Sequence, residues 1–402
     1  MINIPQFIAA NITFRDKSMF AEDIEANKEK LRTEVENKSV LVIGGAGTIG
    51  ASFIRAILKF KPSKLFVVDI NENGLTELTR DLRSTADGYV PENYVTYPIN
   101  FSDSVFEKIF KKEGGFDIVA NFSAHKHVRS EKDLYSVEAL LKNNVTNARK
   151  LLDLLIAFPP KHFFCVSTDK AANPVNIMGG SKKIMEDMIM AYSTKYPITT
   201  ARFANVAFSN GSLLDGFIQR LLKRQPLSAP NDVRRYFVSP DESGEICMLA
   251  CILGNSGEIF FPKLQPEQML TFSEIATRFL NNLGYKAVEC ESEETARQVA
   301  KNRRETDTDY PVFYFNSDTT GEKGYEEFFT DTESVDLVNF HALGVIQNAP
   351  KRPVSEIDAL FSTLTTLFQN PNTKKADVVS AMKEFLGNFD HDEKGKNLDS
   401  KM

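Results

Sequence analysis

The chain has 402 residues, of which 42% are hydrophobic and 25% charged, and its formal net charge at pH 7 is −6. That length exceeds one minimal domain and fits a large α/β domain with a smaller second lobe. The negative charge excludes nucleic acid as the main partner, because phosphate binding requires clustered lysine and arginine side chains.

The N-terminus lacks the basic-then-apolar layout of a signal peptide, and no run of about 18 apolar residues occurs, so we expect no membrane span and a cytoplasmic location. Four cysteines (Cys165, Cys247, Cys251 and Cys290) show no paired metal-ligand spacing. Cys247 and Cys251 lie in the apolar run 246–253, where a buried helix face explains them better than zinc. No disulfide framework is implied, so we expect a reducing compartment.

Strands and helices alternate through the first half of the chain. After a predicted helix at 20–35, the predicted strands are 39–43, 64–68, 94–98, 117–121, 162–166 and 199–203, and the predicted helices are 52–60, 104–112, 137–158 and 180–196. Such alternation implies right-handed crossovers and a doubly wound parallel sheet covered on both faces. Beyond about residue 205 the alternation ends, and amphipathic helices follow at 354–368 and 375–385.

A glycine cluster separates the first strand from its helix, in the spacing G-x-x-G-x-x-G. Glycine permits a tight turn and lets the backbone approach a pyrophosphate, which then meets the N–H groups and positive dipole end of the helix. The alternative is a plain structural turn. The predicted cofactor-binding residues of this cluster are Gly44, Gly47, Thr48, Ile49 and Gly50.

Asp69 ends the second strand, about 20 residues beyond the glycines, as in other dinucleotide sites. Its carboxylate is suited to accept hydrogen bonds from an adenosine ribose, and it repels a 2′-phosphate. No arginine follows directly, so NAD is favoured over NADP. The alternative is that Asp69 caps the next helix or forms a turn.

Ser167, Thr168, Asp169 and Lys170 follow the strand 162–166 directly. Doubly wound sheets bind their ligands at this end of their strands. The alternative is that Asp169 and Lys170 form a surface pair.

These residues, followed by Asn173-Pro174 and Met178-Gly179-Gly180-Ser181-Lys182, resemble the nucleotide-sugar 4,6-dehydratases among the extended short-chain dehydrogenases/reductases. The resemblance is greatest to the bacterial UDP-N-acetylglucosamine 4,6-dehydratases of polysaccharide and glycan biosynthesis. Further matching segments, which extend it over residues 38–335, are Ala124–Val128 of the form A-x-K-H-V, Asn144-Val145, Arg202-Phe203-Ala204-Asn205-Val206, Arg235-Tyr236-Phe237 and Thr320-Gly321-Glu322-Lys323-Gly324-Tyr325-Glu326-Glu327.

The resemblance implies a Rossmann fold with a smaller C-terminal substrate-binding lobe, an NAD cofactor, a nucleotide-sugar substrate and a homo-oligomer. It also implies an NAD-binding domain (38–205) and a nucleotide-sugar-binding lobe partly interleaved with it (206–349). The predicted N-terminal helical extension (1–37) and the C-terminal helices with a polar tail (350–402) lie outside the resemblance.

The resemblance assigns the catalytic roles. Carbon 4 of the sugar is oxidised, water is lost across carbons 5 and 6, and hydride returns to carbon 6. Lys170 would be the base at carbon 5, which requires its neutral form, and Asp169 the acid for the carbon 6 hydroxyl. Thr168 would bond the carbon 4 oxygen, and Lys182 would hold the nicotinamide ribose.

Met178 departs from the Tyr-x-x-x-Lys pattern of ordinary short-chain dehydrogenases, since a thioether cannot take a proton. Three readings remain open. The chain belongs to an active subgroup with methionine here, in which Thr168 and Asp169 handle the proton and carbon 5 keeps its configuration. Alternatively it is a catalytically dead cofactor binder, or His125 or Lys126 supplies the base.

The remaining assignments also follow the resemblance. Asn100, which stands where many relatives have an adenine-contacting aspartate, Phe101 and Ala124 are expected at the cofactor. Arg235 and Asn205 are expected at the nucleotide diphosphate, since a planar guanidinium suits phosphate oxygens. Lys126 and His127 either approach the same phosphates or form a solvated loop, and Glu322 either binds substrate or pairs with Lys323.

The sequence therefore predicts a UDP-N-acetylglucosamine 4,6-dehydratase. A nucleotide-sugar 4-epimerase and a non-catalytic NAD-binding interaction protein are the alternatives.

Overall fold

Short apolar strands such as Ser39–Ile43 and His162–Val166 have no alternating polar face, which is the pattern of strands buried on both sides. In the computed structural model of the chain, which describes residues 2–127, 131–317, 325, 327–387 and 389–391, these strands form the centre of a nine-stranded sheet.

The helices, in chain order, are α1 (Ile4–Ile8), α2 (Ala21–Ala26), α3 (Lys28–Val35), α4 (Thr48–Leu58), α5 (Glu72–Ser84), α6 (Ser104–Glu113), α7 (Leu134–Leu141), α8 (Ala148–Ala157), α9 (Ile177–Tyr192), α10 (Leu213–Leu222), α11 (Pro240–Leu253), α12 (Phe272–Asn282), α13 (Glu293–Asn302), α14 (Val354–Gln369) and α15 (Lys375–Leu386).

The strands are β1 (Ser39–Ile43), β2 (Lys64–Val68), β3 (Asn93–Tyr97), β4 (Ile118–Asn121), β5 (His162–Val166), β6 (Ile198–Ala201), β7 (Asn205–Val206), β8 (Leu227–Pro230), β9 (Arg234–Arg235), β10 (Phe237–Val238), β11 (Glu258–Pro262), β12 (Leu270–Thr271), β13 (Lys286–Glu289), β14 (Asp309–Phe315), β15 (Val335–Asp336) and β16 (Leu343–Ile346).

The large sheet has the strand order β15-β16-β11-β6-β5-β4-β1-β2-β3. The pairs from β3 to β11 are parallel, whereas β16 and β15 add antiparallel strands at the far edge. Strand β1 pairs with both β2 and β4, so the order reverses there, and a doubly wound sheet opens a ligand crevice at such a point. The predicted doubly wound α/β fold is confirmed.

A second lobe contains a three-stranded parallel sheet in the order β13-β14-β8. Its separate apolar core combines side chains of α10 and α12 with Phe7, Ile8 and Ile12 from the first residues of the chain. Helix α3, by contrast, contributes Leu31 and Val35 to the core of the large sheet, and Ile24 of α2 packs against that core. The N-terminal extension thus packs against both parts of the molecule.

Helices α14 and α15 form a hairpin that packs on α7 and α9. The four helices share an apolar core with the segment that joins α7 to α8. Residues 392–402 of the expected polar tail lie outside the described residues.

Two predicted helices are divided, and helices α1, α5, α10, α12 and α13 were not predicted. The predicted helix at 20–35 is divided into α2 and α3. The predicted helix at 137–158 is divided into α7, a π-helical segment (Lys142–Asn147) and α8. Helix α5 has no predicted counterpart, although its buried Leu75, Leu78 and Leu82 have helical spacing. Within the described part of the chain, no helix is both long and apolar enough to cross a membrane.

The four cysteines are buried and unpaired, and Cys247 and Cys251 lie on the buried helix α11, as predicted. No metal-binding cluster of His, Cys, Asp and Glu occurs among the residues that the structure describes.

Candidate active site

The glycine loop between β1 and α4 is shaped by close backbone contacts. Gly44 has a φ of +75°, and a Cβ there would lie 2.7 Å from the Ser123 nitrogen. A Cβ on Gly50 would lie 2.3 Å from the Gly44 carbonyl oxygen, so α4 can approach the loop only without a side chain. Gly47 is the N-cap of α4 and offers no capping side chain. The N-terminus of α4 is therefore suited to bind an anion.

Asp69 is held against this loop. Its Oδ2 accepts a hydrogen bond from the Ala46 nitrogen at 3.0 Å, and its Oδ1 accepts one from the Asn71 nitrogen at 2.9 Å. Because each carboxylate oxygen has two lone pairs, acceptor capacity remains for a ribose hydroxyl. At the end of the neighbouring strand, Asn100 uses its amide oxygen to accept from the Ser102 nitrogen. Phe101 is buried beside it.

The loop that follows β4 reaches towards the glycine loop. Lys126 Nζ donates to the Asn210 carbonyl oxygen at 2.9 Å, and the Asn210 nitrogen donates to Thr48 Oγ1 at 2.9 Å. Removal from water lowers the pKa of Lys126, although the Asp215 carboxylate opposes the shift. Lys126 and Thr48, both predicted site residues, are thus linked through the backbone of Asn210.

Thr168, Asp169 and Lys170 form a cluster at the carboxyl end of β5. Asp169 Oδ1 accepts from the Thr168 hydroxyl at 2.7 Å, from the Lys170 nitrogen at 2.9 Å and from Lys170 Nζ at 3.1 Å. The Asp169 side chain is only 4% exposed, whereas that of Lys170 is 20% exposed. The structure therefore shows a largely buried ion pair at the strand end.

Lys182 is buried in helix α9, with 3% of its surface exposed. Its Nζ donates to the Val166 carbonyl oxygen, 3.1 Å away at the end of β5. Burial lowers the pKa of Lys182, and the neighbouring Cys165 opposes the shift. The Lys182 amine thus contacts Val166, the last residue of β5, which directly precedes Ser167. Helix α9 and the cluster of Thr168, Asp169 and Lys170 therefore form one site.

Met178 lies in the first turn of α9. Its side chain is buried in the apolar cluster that α9 shares with α7, α14 and α15. Its nitrogen donates to Glu131 Oε1 at 2.7 Å, and the Ile177 nitrogen donates to Glu131 Oε2 at 3.1 Å. Glu131 was not predicted as a site residue, because its partners lie 46 and 47 residues away in sequence.

Asn144, in the π-helical segment, joins the β4 loop to α9. Its Oδ1 accepts from the His125 nitrogen at 2.8 Å, and its Nδ2 donates to the His125 oxygen at 2.9 Å and to Ser181 Oγ at 3.0 Å. Burial lowers the pKa of His125. A single amide therefore fixes the loop that contains Ala124 relative to the helix that contains Lys182.

The predicted substrate residues Asn205 and Arg235 lie close together, because β7 pairs with β10, which begins two residues after Arg235. The Asn205 nitrogen donates to the carbonyl oxygen of Tyr236, the residue that follows Arg235. Arg235 is buried, and its guanidinium donates to the Arg234 carbonyl oxygen at 2.9 Å. Glu322 falls outside the described residues.

A family model described as "Polysaccharide biosynthesis protein" matches residues 40–348. The chain belongs to this family. Together with the doubly wound fold, the match confirms the resemblance to extended short-chain dehydrogenases/reductases of glycan biosynthesis.

The relatives of this chain differ in length. It is 30% identical to an uncharacterized membrane protein of Methanocaldococcus jannaschii, over 64% of this chain and 76% of that protein. It is 26% identical to an inverting UDP-N-acetylglucosamine 4,6-dehydratase of Campylobacter jejuni, over 65% and 77%. With the capsular polysaccharide biosynthesis protein CapD of Staphylococcus aureus it shares 27% identity over 60% of this chain, but spans only 40% of CapD.

Two solved structures show the same fold. The X-ray structure of Pen from Bacillus thuringiensis has a TM-score of 0.64 at 20% identity, over 79% of this chain and 89% of that one. The dTDP-glucose 4,6-dehydratase of Bacillus anthracis has a TM-score of 0.53 at 16% identity, over 73% and 88%.

Proposed function

We propose that this protein is an NAD-dependent nucleotide-sugar 4,6-dehydratase that acts on UDP-N-acetylglucosamine. The observation that carries the proposal is the cluster of Thr168, Asp169 and Lys170 at the end of β5, with Asp169 and Lys170 in contact at 3.1 Å. Epimerisation at carbon 4 needs only oxidation and reduction there. Elimination also needs a base at carbon 5 and an acid at the carbon 6 hydroxyl, and these two side chains supply that pair.

The described residues fit a dinucleotide cofactor. The side-chain-free surface of the glycine loop and the N-terminus of α4 suit its pyrophosphate. Asp69 suits the adenosine ribose and disfavours a 2′-phosphate, so we propose NAD rather than NADP. Lys182 would hold the second ribose. When bound, NAD supplies the reversible removal of hydride from carbon 4 and its return to carbon 6.

Asp169 and Lys170 each handle one proton in the proposed reaction. The ionised Asp169 accepts the carbon 4 hydroxyl proton during oxidation and so becomes the neutral acid that protonates the departing carbon 6 hydroxyl. Lys170 must first release its own proton to solvent, and both the loss of the Asp169 charge and the removal of water by the bound sugar favour the neutral amine. The neutral Lys170 then takes the carbon 5 proton and returns it to carbon 5 after hydride reaches carbon 6.

The Thr168 hydroxyl offers a substitute for the absent tyrosine. It donates to Asp169 Oδ1 at 2.7 Å, so a proton leaving the carbon 4 hydroxyl has a route through Thr168 to Asp169. This arrangement supports the reading in which the enzyme is active with Met178. If Lys170 both removes the carbon 5 proton and returns it to the same face, carbon 5 keeps its configuration, and we propose that outcome.

Arg235 and Asn205 are the proposed contacts to the diphosphate, together with Lys126 and His127 from the loop after β4. A guanidinium binds two phosphate oxygens at once. The names of related proteins support a nucleotide sugar as substrate, since they include UDP-N-acetylglucosamine 4,6-dehydratases and UDP-glucose 4-epimerases.

Incubation of the purified protein with NAD and UDP-N-acetylglucosamine tests the proposal by product mass and proton NMR. Loss of one water supports it. A product of unchanged mass but altered carbon 4 configuration identifies an epimerase, and an unaltered sugar contradicts catalysis on this substrate. In the water-loss product, an inverted carbon 5 contradicts the proposed retention.

A further inference from the structure

The hairpin of α14 and α15 lies beyond residues 40–348, the part of the chain that the family model matches. It packs against α9, the helix that contains Met178 and Lys182. We propose that this hairpin is a positioning element of the active site, which holds α9 in the register that places Lys182 at the end of β5. The inference rests on the proposed function.

The hairpin packs tightly against α9 at Gly180. A Cβ on Gly180 would lie 2.6 Å from Met382 Cε and 3.3 Å from a ring carbon of Phe389. Gly180 therefore permits α15 to pack directly against the helix backbone, two residues before Lys182. A Cβ there would have to displace the flexible end of Met382 and shift the Phe389 ring by a few tenths of an ångström.

The N-terminus of α9 is tied to the hairpin through Glu131. The Glu131 carboxylate accepts from the Ile177 and Met178 nitrogens, which are donors left without partners within the helix. Lys375, the first residue of α15, donates through Nζ to the Glu131 carbonyl oxygen at 2.7 Å. Lys375 of α15 thus holds the backbone of Glu131, and the Glu131 carboxylate in turn binds the N–H groups at the start of α9.

A third contact lies further along α9. Arg352, just before α14, donates to Asp187 at 3.1 Å and stacks on the Phe385 ring of α15. These contacts therefore hold α9 on both sides of Lys182 in sequence. Because a helix moves as a rigid unit, a shift at Gly180 would move the Lys182 amine away from the Val166 carbonyl oxygen.

A set of four variants tests the proposal: Gly180→Ala, Met382→Ala, the double variant, and Gly216→Ala as the matched control. Gly216 lies in helix α10, and a Cβ there would meet nothing within 4 Å. Alanine is the better helix former, so a loss in Gly180→Ala but not in Gly216→Ala would arise from the contact with α15.

We expect Gly180→Ala to lower kcat about 2- to 10-fold, less than the roughly 100-fold loss that a 1 Å misplacement of a catalytic group can cause, with little change in KM for the nucleotide sugar. NAD binding, measured by calorimetry, should weaken in parallel, since Lys182 holds the ribose. The double variant should recover part of both losses, because removing the Met382 methyl end makes room for the new Cβ.

A Gly180→Ala variant that folds and keeps wild-type kcat and NAD affinity overturns the proposal, as does a double variant no better than Gly180→Ala. A wild-type protein that releases no water from UDP-N-acetylglucosamine contradicts the proposed function instead. The NAD-binding measurements then decide the positioning role alone, because they need no substrate.

Discussion

Arg202 and Glu186 form an ion pair that is 0% exposed on both sides, with guanidinium-to-carboxylate distances of 2.6 and 2.9 Å. Ser167, directly before the cluster of residues 168–170, donates to the same carboxylate at 3.0 Å. Arg202 also donates to Glu333 and to the Phe328 carbonyl oxygen. The buried ion pair therefore connects the ends of β5 and β6, helix α9 and the segment that leads to β15.

Replacement of this arginine should destabilise the protein strongly. Arg202→Met leaves the Glu186 charge buried without its main partner, and we expect a loss of about 3–5 kcal/mol in the free energy of unfolding. Urea denaturation measures it. Arg55→Met is the matched control, because the Arg55–Asp81 pair is 39% and 49% exposed and is worth at most about 1 kcal/mol. Equal losses in the two variants would contradict this account.

The same pair predicts a pH dependence of stability. Burial alone would raise the pKa of Glu186, but the charges of Arg202 and Lys183 outweigh it and lower the pKa from 4.5 to about 2. A carboxyl group whose pKa is lowered on folding stabilises the protein above its unfolded pKa. That contribution, about 3 kcal/mol, should be lost as the pH falls from about 4.5 to about 2. Glu186→Gln should flatten the curve over this interval.

Removal of the proposed base or acid should stop elimination without loss of the cofactor. We expect Lys170→Ala and Asp169→Asn each to lower the rate of water loss by about 10²- to 10⁴-fold, the usual contribution of a positioned acid or base. NAD affinity should be retained in both, as calorimetry would show. Retained dehydration in Lys170→Ala would remove this residue from its role. Lys195→Ala, at an exposed residue beyond the end of α9, is the control.

The two glycines at the start of α4 should differ in their tolerance to alanine. At Gly50 a Cβ would lie 2.3 Å from the Gly44 oxygen, whereas at Gly47 the same atom is 3.5 Å away, an ordinary contact. Gly50→Ala should therefore weaken NAD binding and lower the melting temperature much more than Gly47→Ala does. Calorimetry and thermal unfolding measure the two effects, and similar losses in both would contradict the loop geometry.

Asp69 should determine the choice between NAD and NADP. Asp69→Asn keeps an amide oxygen as acceptor but removes the charge that repels a 2′-phosphate. The ratio of NADP to NAD affinity should rise, mainly through tighter NADP binding. An unchanged ratio would show that other residues select the cofactor.

Local patterns identified the centre of the fold. Strands β1, β2 and β5 match their predicted bounds to the residue, since each is an apolar run with turn-forming neighbours. The π-helical segment around Asn144 was missed, because periodicity over 137–158 does not reveal one widened turn. Helix α5 was missed because most of its residues are polar, although its buried leucines have helical spacing.

Contacts between residues that are far apart in the sequence could not be predicted from local patterns. The cluster 168–170 is contiguous, so its side chains had to lie together. Glu131 and α9, or Arg202 and Glu333, are brought together only by the fold, 46 and 131 residues apart. The covering of Gly180 by Met382 likewise required coordinates, because no motif marks it.

The antiparallel strand β16 comes from residues 343–346, yet it pairs with β11 inside the large sheet. During synthesis, β11 emerges some 80 residues before this neighbour, and its edge remains open until β16 arrives. Open strand edges invite pairing with other chains. Truncation before residue 343 should therefore yield aggregating protein. The length of the shortest fragment that folds without aggregation is then determined by the strand that covers this sheet edge, and not by the proposed catalytic residues.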